Sequence, residues 1–318
     1  MPQILANSQA ISRAVTAKFD APLPVRLWHL ASLDAPTVAV VWMLGLAWAA
    51  KTPLPAWNDV LLALVAWAVY IADRLLDAQA NLSSFHYHRL RQRHRFHWRH
   101  RRFFVPTAIA AALAAGCIVF VFMPIAALER NGVLATAALA YFTGIHRRQK
   151  RLSGEHRPPP ACRTSVQPAK LALPWHPADW VSKELLVGLL FTAACALPVI
   201  GRAAAVHGHA RWTLFTPVVF FAALAWLNCQ AIERWESREK SSRMSNVFAP
   251  AILLSVAGLL LAAIFSAAHP RSAALIEAGS VSALLISLLH RLRSHLTPLA
   301  LRAAADLVLL TPVILLFQ

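Results

Sequence analysis

The chain has 318 residues, 58% of them hydrophobic and only 14% charged, with 31 Lys and Arg against 14 Asp and Glu. A water-soluble protein of this length carries about a quarter charged residues, so the composition excludes an ordinary soluble enzyme or binding domain. It fits an all-α polytopic membrane protein in which long apolar stretches recur between short basic segments.

Residues 1–25 are mixed and read as a cytoplasmic N-terminal segment, with an interfacial helix leading into the first span. They lack the charged, apolar and cleavage regions of a removed signal peptide. Apolar runs then cover 34–50, 57–77, 103–125, 131–146, 180–200, 213–233, 247–267, 272–290 and 299–317. Several come close to the ~20 residues that cross ~30 Å of hydrocarbon as a helix. Helices are the required form, because lipid cannot satisfy open backbone groups. Ala, Gly, Ser and Thr among the leucines suit close helix packing. About nine helices bundled around a cytoplasm-facing polar cavity, as one domain over 1–318, is the architecture these runs predict. The four cysteines, Cys117, Cys162, Cys195 and Cys229, have no metal or redox spacing and read as small packing residues.

Two connections stand out. "HYHRLRQRHRFHWRHRR" at 86–102 is the most basic, and its histidines suggest a metal site. The interleaved arginines would repel a cation, so it reads as a topology anchor against anionic lipid, with a basic lid over a phosphate-bearing substrate as the sharper alternative. The loop 147–179 holds "RPPPACR" and "LPWHP", where consecutive prolines forbid a helix.

Most of the 31 cationic residues fall on one side of this alternation, in the N-terminus and after the second, fourth, sixth and eighth runs. The other side keeps Lys51, Arg130, Arg202, Arg211 and Arg271. The positive-inside rule then puts the N-terminus in the cytoplasm and the C-terminus outside, as in a bacterial inner-membrane protein. The net charge of +17 is accounted for by topology and lipid, so nucleic acid is not an expected partner.

This orientation brings the ionisable groups within spans to one face: Asp34, Asp73 and Asp77, the pair Lys183–Glu184, Asn228, Glu233 and Glu236, and the pair Arg302–Asp306. Glu277 is the exception, at the outer end of its run. Such groups are costly in lipid and mark functional sites. Lys183, Arg302 and Glu236 are long enough to reach the headgroups, whereas Asp73 and Asp34 are too short. Asp73 and Asp77 in "YIADRLLD" are four apart and share one helix face. Two carboxylates so close repel, and Mg²⁺, which bridges one or two carboxylates to substrate phosphates, relieves that repulsion.

In these features the chain resembles the UbiA superfamily of intramembrane prenyltransferases. The resemblance covers nearly the whole chain. "VYIADRLLD" is similar to the first Asp-rich motif, with Asp73 and Asp77 in its last two acidic positions and Val69 and Tyr70 where Asn and Asp belong. "NCQAIERWE" is similar to the second, keeping Asn228, Ile232 and Glu233, with Ala231 for the central Asp and Trp235 for the last. The resemblance implies transfer of a prenyl group from a prenyl diphosphate to an aromatic, lipid or quinone-type acceptor. It implies Asp73, Asp77 and Glu233 as catalytic residues and as ligands of one Mg²⁺. Arg74, Asn228, Lys183, Glu184, Arg302 and Asp34 are the expected substrate contacts, and Trp28, Trp67 and Trp226 are candidates for stabilising an allylic cation. The missing motif carboxylates support an alternative, a catalytically degenerate protein that binds an isoprenoid or lipid or acts as a partner subunit. An ion-coupled transporter is a second alternative, for which repeats and broken midplane helices are absent from the sequence.

Overall fold

The computed structural model describes residues 18–83, 92–154, 183–207, 211–236 and 247–317. Residues 1–17 of the N-terminal segment, 86–91 of the His/Arg-rich loop, Cys162 and the proline-rich 155–182 lie outside the described residues. The described chain is helical. In order it forms α1 (Leu23–Leu30), α2 (Asp34–Ala49), α3 (Ala56–Ser83), α4 (Gln92–Arg99), α5 (Arg101–Phe122) and α6 (Ile125–Gly154). Then come α7 (Lys183–His207), α8 (Arg211–Glu236), α9 (Phe248–Phe265), α10 (Pro270–Leu292) and α11 (Pro298–Leu307). The last continues as a 3-10 helix over Val308–Phe317.

A helix covers most of the described part of each of the nine apolar runs. Six stretches are long and apolar enough to cross a membrane: Arg101–Phe122, Lys183–Ala205, Leu214–Glu236, Phe248–Phe265, Pro270–Leu292 and Pro298–Phe317. A seventh arises if α1 and α2, which meet at 90°, form one bent span. Helices α3 and α6 are continuous but are not among these, and they carry Asp59, Asp73, Arg74 and Asp77, and Glu129 and Arg130, respectively. The outward faces are apolar: Phe120, Ile125, Val133, Leu253 and Ile264 are all exposed. A belt of this kind needs lipid or a partner to cover it.

Helix α2 runs through the core. Its Val38, Trp42, Met43 and Leu46 are buried against α3, α7, α10 and the 3-10 segment. Trp42 stacks on Phe221 of α8, with ring centroids 3.9 Å apart. Its indole N–H donates to the Leu309 carbonyl at 2.9 Å. That oxygen needs a donor, because the residue three further on is Pro312, which has no N–H to close the 3-10 turn. Helices α7 and α8 approach so closely that a methyl group on Gly188 would stand 2.8 Å from the Trp226 backbone nitrogen. Helices α9 and α10 meet along Ala251, Ser255, Gly258 and Ala262, small residues that let the backbones come together.

The corner between α1 and α2 has a local cause. Pro36 lies in the first turn of α2, where its missing N–H costs nothing, but it could not continue a helix from α1. Ser32 takes a φ of 61° and redirects the chain. Trp67 of α3 donates to the Ala31 carbonyl at 2.9 Å, and Trp28 donates to Thr37 Oγ1 at 3.2 Å. Both indoles thus brace the corner. Trp226 is the one whose indole N–H is buried with no hydrogen-bond partner. Cys195 is fully buried in the core, as a packing residue would be.

Candidate functional site

Ionisable side chains from α1, α2, α3, α4, α8 and α11 meet in a buried hub. Asp34, the first residue of α2, is brought there by the corner. His29 Nδ1 of α1 lies 2.7 Å from Asp34 Oδ2 and 3.7 Å from Asp306 Oδ2 of α11. The first contact is short but lacks the alignment of an N–H···O bond. Arg74 of α3 is 2% exposed. It donates to the His29 carbonyl at 3.1 Å and faces Asp34 Oδ2 at 3.4 Å. Asn228 of α8 donates to Asp306 Oδ1 at 3.4 Å, while its own side-chain oxygen is buried with no partner.

The hub extends to the end of α8. Arg302 Nη1 donates to both oxygens of Glu236, at 3.0 and 3.1 Å. Arg93 of α4 donates to Glu236 Oε1 at 2.9 Å. Arg302 and Glu236 therefore bind each other inside the bundle end, where the sequence suggests two separate headgroup-reaching charges. Three carboxylates (Asp34, Asp306, Glu236) and three guanidiniums (Arg74, Arg93, Arg302) thus meet as two neighbouring groups, and Arg302 lies within electrostatic range of Asp306 and Asp34. Opposite charges placed this way offset much of the cost of burying each.

Helix α4 is the part of the basic loop that the anchor reading does not anticipate. It turns Arg93, His94 and His97 inward, all buried. A backbone carbonyl only accepts, so His94 Nδ1–H donates to the Arg74 carbonyl at 3.3 Å and His97 Nδ1–H to the Arg93 carbonyl at 3.0 Å. His97 Nε2 is then the acceptor for the Ser32 hydroxyl at 3.0 Å. Both rings are neutral in this arrangement. Burial pushes His94 down to about 3, with the Arg93 guanidinium adding to it, and burial pushes His97 down to about 4.

The remaining expected site residues are arranged around this hub and are more accessible. Asp73 and Glu233 are exposed, Asp77 and Glu184 half-buried, and Lys183 exposed. Asp73 and Glu184 lie within electrostatic range of the Tyr141 hydroxyl, which is buried with no hydrogen-bond partner. Lys183, Glu184, Arg302 and Asp306 all lie within range of the Cys229 sulfur. Residues from α3, α6, α7, α8 and α11 therefore share this region. His29, Tyr141 and the inward side of α4 do not emerge from the sequence reading. The one usable signal is the four-residue spacing of Arg93 and His97, which aligns them on one helix face.

Family models, curated proteins and solved structures yield no match to this chain.

The metal question turns on donor chemistry. Among the described residues, His29, Asp34 and Asp306 form the group of three whose ligand atoms all lie within 4.8 Å of one another. One imidazole and two carboxylates suit a borderline divalent ion better than Mg²⁺, which prefers oxygen donors. Arg74 already faces Asp34, so an ion would enter this hub in competition with a guanidinium. Asp73 and Asp77 are a different case. Two accessible carboxylates on one helix face are the kind of partial protein shell in which Mg²⁺ keeps waters and takes further oxygens from a substrate.

Proposed function

We propose that the chain is an intramembrane prenyltransferase of the UbiA type, with its prenyl diphosphate held between the C-terminal parts of α3 and α8 and the start of α7. The observation that carries this reading is the division of the expected site residues into two groups at one end of the bundle. Asp34, Arg74, Asn228 and Arg302 are bound to one another or to the hub. Asp73, Asp77, Glu184, Glu233 and Lys183 retain access to solvent. The accessible set contacts the substrate in this proposal, and the hub positions it.

Lys183 offsets the leaving diphosphate as the allylic C–O bond ionises, and the apolar helices keep water from the resulting cation. Mg²⁺, when bound at Asp73 and Asp77, would supply further charge neutralisation of the diphosphate. The acceptor is an aromatic, lipid or quinone-type molecule delivered from the bilayer. The test is Mg²⁺-dependent binding of geranyl or farnesyl diphosphate to purified protein, compared with Asp73→Ala and Asp77→Ala. Each substitution is expected to weaken binding at least tenfold and abolish transfer. Binding unchanged in both variants removes these carboxylates from the site.

The self-pairing of Arg74, Arg302, Asp34 and Asn228 favours one further reading, a UbiA-type protein that binds an isoprenoid without transferring it. Four of the expected substrate contacts are then structural. Retention of prenyl diphosphate with no product across aromatic and quinone acceptors distinguishes this reading from the first.

A further inference from the structure

A groove of about 420 Å³ lies at the far end of α2 from the hub, lined by Leu44, Trp48, Lys51, Leu54, Arg271 and Leu316 among others. Three helix ends meet there. Trp48 is in the last turn of α2, Arg271 in the first turn of α10, and Leu316 in the last turn of the 3-10 segment after α11. Pro270–Leu292 and Pro298–Phe317 are both long and apolar enough to cross a membrane. Where such helices stop is the depth of lipid phosphates, and Trp48 is the residue type enriched at that level.

The groove has apolar walls and two cations. Arg271 donates to the Trp48 carbonyl at 3.2 Å, and its guanidinium lies over the Trp48 ring, 5.2 Å from the centroid. These contacts hold the group in place but use few of its five N–H donors. Lys51 is exposed and sits in a fixed turn, at a φ of 52°. Its own N–H bonds back to Trp48, and the next residue, Thr52, is buried and bonded to Ala47 and Ala50. Neither Lys51 nor Arg271 has a carboxylate partner among the described residues, in contrast to the paired arginines of the hub.

We propose that this groove binds one anionic phospholipid, with its phosphodiester between Lys51 and Arg271 and an acyl chain along Leu44, Leu54 and Leu316. Charge complementarity selects this occupant. Two unpaired cations at headgroup depth call for an anion, and the apolar wall below them calls for a chain attached to it. The site lies away from the hub and does not depend on the transferase reading.

The experiment is native mass spectrometry of the full chain in detergent, titrated with phosphatidylglycerol or with phosphatidylcholine of the same acyl composition. The wild type is expected to retain one phosphatidylglycerol with a preference of roughly ten- to thirty-fold, the scale of two lipid-facing cations. Lys51→Gln lowers that preference several-fold, and Lys51→Gln with Arg271→Gln brings it close to one. The Lys51 side chain makes no hydrogen bond or ion pair among the described residues, so its variant tests the proposal even if loss of Arg271 disturbs folding. Equal retention of the two lipids by the wild type, or an unchanged preference in Lys51→Gln, overturns the proposal. So does soluble glycerol 1-phosphate competing as strongly as the lipid, because the acyl wall would then contribute nothing.

Discussion

Arg74 shows how much can rest on one side chain. It joins the corner carbonyl of His29 to the Asp34 carboxylate, and its own carbonyl receives His94. Both Arg74 and Asp34 side chains are about 3% exposed. Removing one member leaves the other charge buried and uncompensated, which costs about 3–5 kcal/mol. Arg74→Met and Asp34→Leu are each expected to destabilise the protein on that scale in mixed-micelle unfolding. The double variant is expected to lose much less than the sum, because no orphan charge remains. Equal losses that simply add would show that the two groups do not act as a pair. Asp73, the next residue along, is accessible. Adjacent positions on one helix therefore divide between a buried charge and an accessible one, as their ~100° angular separation requires.

At the scale of elements, α4 is the most conditional piece. It is short, and its hold on the bundle runs through Arg93, His94 and His97. The docked helix keeps His94 and His97 at about 3 and 4, while a released imidazole titrates near 6.5. Release therefore takes up protons. Docking is at full strength above about pH 6.5 and weakens as the pH falls towards 4. The opening equilibrium rises by up to about tenfold per pH unit for each histidine that gains a proton. Hydrogen exchange of residues 92–99 between pH 7.5 and 4.5 measures this, and His97→Gln should flatten the response. Flat protection across that range in the wild type would mean that α4 is held by something other than its neutral rings. Little of this element is legible in the sequence. A run of Arg and His reads as an anchor against anionic lipid, and only contact with Arg74 and Ser32 makes two of its histidines interior.

The whole molecule is more legible than its site. Hydropathy alone locates the nine helical segments, since each apolar run needs a helix to satisfy its backbone. The sequence misses the 90° corner between α1 and α2, which depends on Pro36 and on Ser32 adopting a positive φ. Six helices, or seven with the bent pair, are long and apolar enough to cross a membrane, and α3 and α6 of the nine expected are not among them. The gathering of polar residues at one end is legible, but the pairings among them are not, since Arg302 meeting Glu236 joins residues 66 apart in the chain. The exposed apolar belt of α5, α6 and α9 predicts that the protein stays with membranes through an alkaline carbonate wash and leaves them only with detergent. Release by carbonate would contradict a bundle of crossing helices.

The composition of the hub also sets an order on biosynthesis. Arg302 and Asp306 sit on α11, which a ribosome finishes after every other numbered helix. Until then Glu236 has Arg93 but not Arg302, and Asn228 and His29 have no Asp306 to meet. The nascent hub therefore already pairs Asp34 with Arg74 and Glu236 with Arg93, and α11 adds one further charge of each sign. A chain that stopped before Arg302 would keep these two pairs but leave Asn228 and His29 without their Asp306 contacts.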